Sequence, residues 1–225
     1  RLSVGYTGQT AVVEVSLLGK FQAENLLCAV GLAVADGVPF EAVIECVSSV
    51  VGVRGRMELV GRSHSGAGIY VDYAHTPDAY EKLFSTITKL KDRGKRIITV
   101  FGCGGNRDTK KRKEMAAIAE KYSTFSFVTM DNPRTESLEK INLDIIKGFS
   151  DSDYEVISDR NNAIQAALEK MDKNSILLVL GKGRENYQMI GSKPYQVPIL
   201  HTFSYSPSPS TFWSFPHIFY TSLFQ

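Results

Sequence analysis

Between residues 68 and 180 the sequence alternates short apolar runs with longer segments whose apolar residues recur three and four apart. The runs GIYV (68–71), RIITVF (96–101), FSFVTM (125–130), YEVI (154–157) and ILLVL (176–180) have the length of strands. Between them, Leu83, Ile87 and Leu90 form one helical stripe, and Met115, Ile118, Ala119 and Tyr122 a second. Ile141, Ile145 and Phe149 give a third, and Ile164, Ala167, Leu168 and Met171 a fourth. Thr76 is placed to cap the first of these helices, with Pro77 at its first position, where a missing N–H costs nothing. Strand–helix–strand units of this length close only through right-handed crossovers. The segment is therefore constrained to an α/β fold, a mostly parallel sheet flanked by helices. ILLVL lacks polar alternation, which predicts a strand covered on both faces.

The flanks read differently. Residues 11–18 (AVVEVSLL) alternate well enough for a strand that Gly19 ends. Residues 25–35 place Leu26, Ala29, Val30 and Ala33 on one helical face, and Phe40, Val43, Ile44 and Val47 repeat the pattern. Gly52, Gly55 and Gly61 loosen the chain, which sets a boundary there: residues 1–58 as one unit, 59–195 as the α/β domain. Residues 196–225 are a third region, rich in aromatics, Ser and Pro. The chain opens on Arg1, not Met, inside what reads as a strand, and is expected to be a fragment.

Composition excludes several function classes. Apolar content of 43% and charged content of 22% suit a globular protein with a core. A net charge of +2 gives no reason to expect nucleic acid. The basic run at 110–113 reads as a solvated first turn, because no aromatic residues interleave it for base stacking. His64 sits in a polar stretch and is expected to be exposed. Cys28, Cys46 and Cys103 make no CxxC pair, so neither a disulfide framework nor a zinc site is expected, and a cytoplasmic setting fits. No apolar run reaches the roughly 18–20 residues of a membrane span.

In open parallel sheets, ligands bind beyond the carboxyl ends of the strands. GIYV leads into Asp72, Tyr73, Ala74 and His75, and RIITVF into residues 102–108 (GCGGNRD). FSFVTM leads into Asp131, Asn132, Pro133 and Arg134, and ILLVL into Gly181, Lys182, Gly183, Arg184 and Glu185. Arg107 and Arg134 suit planar contact with carboxylates, while Asp131 and Glu185 can receive an ammonium. One sheet edge thus looks built for a zwitterion carrying more than one carboxylate, an amino acid or a diamino acid.

VDYAHTPDA (71–79), FGCGGNRD (101–108), DNPRTE (131–136) and GKGRENYQ (181–188) resemble, in order and spacing, motifs of the Mur ligase family and within it of its MurE branch. GKFQAEN (19–25) and GRME (55–58) resemble the end of that family's central ATPase domain. The resemblance implies a three-domain ATP-dependent amide ligase of peptidoglycan synthesis. Residues 1–58 would finish the ATPase domain, and residues 59–195 would form the Rossmann-like C-terminal domain that binds the incoming amino acid. It implies ATP and Mg²⁺ as cofactors, with UDP-MurNAc-L-Ala-D-Glu and meso-diaminopimelate as substrates. By carry-over, Asn25 meets the adenine, Arg56 the phosphates and Asp72 the ribose, with His75 beside them. Arg107, Asp131, Asn132, Pro133, Arg134, Gly181 and Glu185 would hold the diamino acid. No residue here is assigned as catalytic or as a metal ligand, and GxxGK[ST] occurs nowhere in the 225 residues.

The DNPR form implies diaminopimelate in place of lysine, because Arg134 offers the second carboxylate a charge-assisted fork that lysine leaves unpaired. Gln22 stands where the family usually has Asn, and Arg184 where His is usual. Two other readings remain: a different Mur or folylpolyglutamate-type ligase, and a non-catalytic amino-acid- or anion-binding module.

Overall fold

The computed structural model describes residues 1–90, 94–151 and 153–197. The aromatic region expected from residue 196 therefore lies almost wholly outside the described residues, as does the side chain of Leu90.

The chain begins with an antiparallel hairpin, β1 (Leu2–Tyr6) and β2 (Gln9–Val13). Its two-residue turn has positive φ at both positions, 44° at Thr7 and 84° at Gly8, the twist that tight hairpins favour. The strand expected over 11–18 ends at Val13, and the helix expected from 25 begins five residues earlier, as α1 (Lys20–Ala35). α2 (Phe40–Val47) follows as the pattern predicts. Val4, Val13, Leu26, Val30, Phe40 and Val47 form one small core. Ala29 is exposed, because the buried stripe of α1 runs Gln22, Leu26, Val30 at four-residue spacing and leaves it at the margin.

The remaining elements are β3 (Glu58–Arg62), β4 (Gly68–Asp72), α3 (Pro77–Leu90), β5 (Arg96–Phe101), α4 (Lys110–Tyr122), β6 (Phe125–Val128), α5 (Leu138–Ile146), β7 (Tyr154–Val156), α6 (Arg160–Glu169), β8 (Ser175–Leu180), β9 (Tyr187–Ile190) and β10 (Lys193–Gln196). Six strands form one sheet in the order β3-β4-β8-β5-β6-β7, parallel except for β3. The fold class is the expected one, with helices on both faces. Alternate residues of β8 divide between them. Leu178 and Leu180 join the core under α3, α4 and α5, while Leu177 and Val179 join Ala163, Ile164 and Ala167 of α6. All six residues of β8 are buried.

Several boundaries differ from the sequence reading. β6 and β7 stop at Val128 and Val156, and α5 and α6 at Ile146 and Glu169. Phe149 and Met171 lie beyond these helix ends yet still pack on the two cores. The basic run at 110–113 needs the larger correction. Arg112 is fully buried, its Nη1 donating to Glu136 Oε1 (2.8 Å) and Asp144 Oδ2 (3.1 Å), and its Nη2 to Glu136 Oε2 (2.7 Å) and the Gly104 carbonyl (3.2 Å). Two carboxylates and a carbonyl surround the guanidinium, which is the condition under which burial of a charge is tolerated.

Candidate functional site

β4, β8, β5 and β6 stand side by side, so the four strand ends singled out in the sequence open onto one edge. Glycines let the loops there close on one another. A Cβ on Gly102 would overlap the Thr129 carbonyl oxygen, and one on Gly105 the Pro133 carbonyl oxygen. Gly181 has φ 100°, and a Cβ there would stand 2.7 Å from Asp131 Oδ2. Between these loops lies a cleft of about 270 Å³. Arg107, Asp131, Asn132, Arg134, Gly181 and Glu185 all line it, joined by Tyr73, His75 and Lys111. Pro133 is buried behind the lining, its carbonyl accepting from Glu136 N at 3.1 Å.

The cations of this cleft are held differently. Arg107 is exposed and makes no hydrogen bond or ion pair among the described residues. Arg134 sits at φ 55°, and its Nη1 donates to the carbonyls of Gly105 (2.9 Å) and Asn132 (3.3 Å), leaving Nε and Nη2 for a ligand. Lys111 Nζ donates to the His75 carbonyl at 2.8 Å. The unanticipated hairpin of β9 and β10 grips the Arg134 loop: Arg134 N donates to Met189 O (2.9 Å), Gly191 N to Arg134 O (2.7 Å) and Gln188 Nε2 to Met130 O (3.0 Å).

The anions are braced from beneath by Lys182, which sequence reasoning did not single out. Its side chain is 1% exposed, with Nζ 3.2 Å from Glu185 Oε2 and 3.7 Å from Asp131 Oδ1. Burial pushes the Lys182 ammonium below its ordinary pKa, opposed by the charges of Asp131 and Glu185. Tyr73 Oη donates to Glu185 Oε1 at 3.2 Å, and burial, then Glu185, raises the phenol's pKa. Only the three-dimensional partners distinguish Lys182 from an ordinary loop lysine; the local GKG carries no such signal.

Glu136 ties the two arginine-bearing loops together. It takes the Arg112 fork and accepts from Asn106 N at 3.0 Å. Asn106, at φ 53°, returns the tie by accepting from Thr135 N at 3.1 Å. Gly105→Ala is expected to push these loops apart, costing about 1–3 kcal/mol of stability as overpacking does. Urea denaturation measures the loss, and an unchanged midpoint would mean the loops part freely.

A second cleft, of about 490 Å³, lies between α1 and α3, lined by Phe21, Gln22, Asn25, Arg56, Asp72 and Lys82 among others. Asp72 is buried, its Oδ2 accepting from Met57 N (2.7 Å) and its Oδ1 from Ala74 N (2.6 Å). Burial raises its pKa, and those two N–H groups oppose the rise. The Arg56 guanidinium lies 4.5 Å over the Tyr73 ring. His75, grouped with these residues in the sequence, lines the other cleft, its Nδ1 2.8 Å from the Tyr73 carbonyl. Arg184 pairs with Glu58 through Nε at 2.8 Å, joining the loop after β8 to the start of β3. Gln22 is buried on α1 at the cleft wall. Among the described residues no group of three or more His, Cys, Asp or Glu could hold a metal ion, and no helix is long and apolar enough to cross a membrane.

The sheet order, the helices on both faces and the polar clefts at the strand ends define an α/β domain with its clefts at the carboxyl edge of a mostly parallel sheet. The family described as "Mur ligase, glutamate ligase domain" matches residues 55–183, and the chain belongs to the Mur ligase family. It is 43% identical over 197 residues to the UDP-N-acetylmuramoyl-L-alanyl-D-glutamate--2,6-diaminopimelate ligase of Fusobacterium nucleatum, covering 86% of this chain and 40% of that protein. To the enzyme of the same name from Rickettsia bellii it is 43% identical over 180 residues, 80% of this chain and 37% of the relative. The chain thus spans about two fifths of the length of these curated relatives. A solved structure of a UDP-N-acetylmuramoyl-L-alanyl-D-glutamate--2,6-diaminopimelate ligase superposes with a TM-score of 0.63 at 34% identity, covering 87% of this chain and 40% of that one. Mycobacterium tuberculosis folylpolyglutamate synthase has the same fold, with a TM-score of 0.62 at 19% identity over 84% of this chain and 40% of its own.

Proposed function

We propose that this chain is the amino-acid-binding part of a cytoplasmic, ATP-dependent ligase that joins meso-diaminopimelate to UDP-MurNAc-L-Ala-D-Glu. The carrying observation is the composition of the smaller cleft. Two guanidiniums, Arg107 and Arg134, share it with two carboxylates, Asp131 and Glu185. A diamino acid with two carboxylates and two ammonium groups complements that set, and lysine lacks one of the four charges. Residues 59–195 form the binding domain in this reading, and residues 1–58 complete the neighbouring ATPase domain.

The ligation activates the D-Glu carboxylate as an acyl phosphate at the expense of ATP. The free amine of the diamino acid then attacks the acyl carbon and expels phosphate. Arg107, Asn132 and Arg134 donate to the diamino acid's carboxylates, while Asp131 and Glu185 accept from its ammonium. Gly181 leaves room for the ligand's backbone, and Pro133 stiffens the Arg134 loop from behind. The larger cleft suits a nucleotide: Asn25 offers an amide to the base, Arg56 a cation to phosphate, and Asp72 keeps lone pairs for a ribose hydroxyl. His75 lines the smaller cleft, next in the chain to Ala74, which lines the larger one. The family also uses Mg²⁺. The described residues offer no cluster that fits the ion, so no step is assigned to it.

Calorimetry with meso-diaminopimelate and L-lysine tests this reading. The chain is expected to bind diaminopimelate more tightly, and equal affinity would overturn it. ATP is expected to bind weakly, because the chain has no GxxGK[ST] whose backbone N–H groups and lysine grip the outer phosphates. Micromolar ATP affinity would require a second phosphate site.

A further inference from the structure

We propose that Lys182 is a positioning residue that sorts the diamino-acid cleft into a donor half and an acceptor half by fixing the Asn132 amide and the Glu185 carboxylate. The inference deepens the proposed function and rests on that reading of the cleft. An ammonium has three protons, and those of Lys182 have three acceptors: Asn132 Oδ1 at 2.5 Å, the Tyr187 carbonyl at 2.7 Å and Glu185 Oε2 at 3.2 Å. The backbone N of Met189 reaches the same Asn132 oxygen at 2.8 Å.

Neither group can accept a hydrogen bond, so their shared partner on Asn132 must be the oxygen and not the nitrogen. With both lone pairs of Oδ1 used, the group Asn132 has left for the cleft it lines is Nδ2, a donor. It stands on the same loop as Arg134 and adds to the donors available for a carboxylate. Glu185 is fixed in the opposite sense. Oε2 faces Lys182 and Oε1 takes the Tyr73 hydroxyl, so the carboxylate stays an acceptor for a ligand ammonium. The same buried charge lies 3.7 Å from Asp131, so it also offsets the two acids it organises. One lysine below the floor therefore decides which part of the cleft meets a carboxylate and which an ammonium.

Two substitutions test this by titration of the chain with meso-diaminopimelate and L-lysine. Lys182→Met removes the ammonium at similar length, freeing the Asn132 amide to turn and leaving the acids uncompensated. The Kd for meso-diaminopimelate should rise about tenfold or more, the scale of one charge-assisted hydrogen bond; lysine, with no second carboxylate for the Asn132 and Arg134 donors, loses only the part that passes through Glu185 and should weaken less. Asn132→Asp keeps the contacts to Lys182 and Met189 but turns the cleft-facing donor into an acceptor. It should weaken meso-diaminopimelate to a similar degree while the fold persists, even where Lys182→Met fails to fold. Equal losses for both ligands, or an Asn132→Asp protein that binds meso-diaminopimelate as the parent does, would overturn the inference.

A ligand-free readout separates this failure from failure of the cleft's assignment. The side-chain amide resonance of Asn132 should shift in Lys182→Met, or, if that variant does not fold, in Lys182→Arg. If it shifts and the parent chain binds neither amino acid, the proposed function fails and the orienting role of Lys182 stands. An unmoved resonance removes that role whatever ligand the cleft takes.

Discussion

Under the proposed function, Arg134→Ala is expected to lower kcat/KM for meso-diaminopimelate by about one to two powers of ten in a complete ligase carrying this sequence, and to change the value for lysine much less. A charge-assisted contact contributes about 1.5–3 kcal/mol, and each 1.4 kcal/mol is about a factor of ten. Lysine has no far carboxylate and so no such contact to lose. The geometry adds a second term. One guanidinium nitrogen already bonds the Gly105 and Asn132 carbonyls, so the alanine variant also removes one of the ties between the two loops. That bracing loss weakens both substrates alike and lowers the melting temperature. The ratio of the two kcat/KM values isolates recognition from bracing, and a parallel fall for both substrates would assign Arg134 to the scaffold alone.

Arg112→Met is expected to destabilise the protein by about 3–5 kcal/mol, the range for removing one member of a buried ion pair. Methionine fills much of the volume but leaves the carboxylates of Glu136 and Asp144 facing an apolar side chain. Adding Glu136→Gln should recover part of the loss, because it removes one stranded charge. Urea denaturation of the single and double variants gives the coupling directly. A single-variant loss under about 1 kcal/mol would mean that the cluster is solvated. The same cluster predicts an acid limb. The Arg112 hydrogen bonds hold the Glu136 carboxyl at about 2, below its ordinary 4.5. The stability this gives is fully present above pH 4.5 and drains away as pH falls toward 2, since protons then bind the unfolded chain first. Arg112→Met should remove most of that slope.

The sheet was legible because its inner strands are buried on both faces, where apolar runs have no competing explanation. β3 and the pair β9 and β10 were missed for the opposite reason. Their residues are half-exposed or polar, and their pairing partners, not their composition, make them strands. The clustering of Arg107, Asp131, Asn132, Arg134, Gly181 and Glu185 followed from one rule, that loops at carboxyl strand ends converge. Position in the chain could not say which cleft His75 joins. Nor could it reveal that Arg112 is buried: its neighbours are Lys111 and Lys113, and the acids that neutralise it lie 24 and 32 residues downstream. Lys182 escaped notice likewise, since Asn132 is 50 residues away.

The position of β8 has a consequence for how the protein comes into being. It is the last strand of the sheet in the chain, yet it lies between β4 and β5 and hydrogen-bonds to both. Until residue 180 has left the ribosome, β3 and β4 have no edge to join and β5 and β6 lack an inner neighbour. Asp131 and Arg134 on one side, and Asp72 and Tyr73 on the other, then belong to two unconnected halves. The six-stranded sheet is completed only when this buried strand takes its place between β4 and β5, and a chain that stops short of it is left with two separate strand groups and no shared edge.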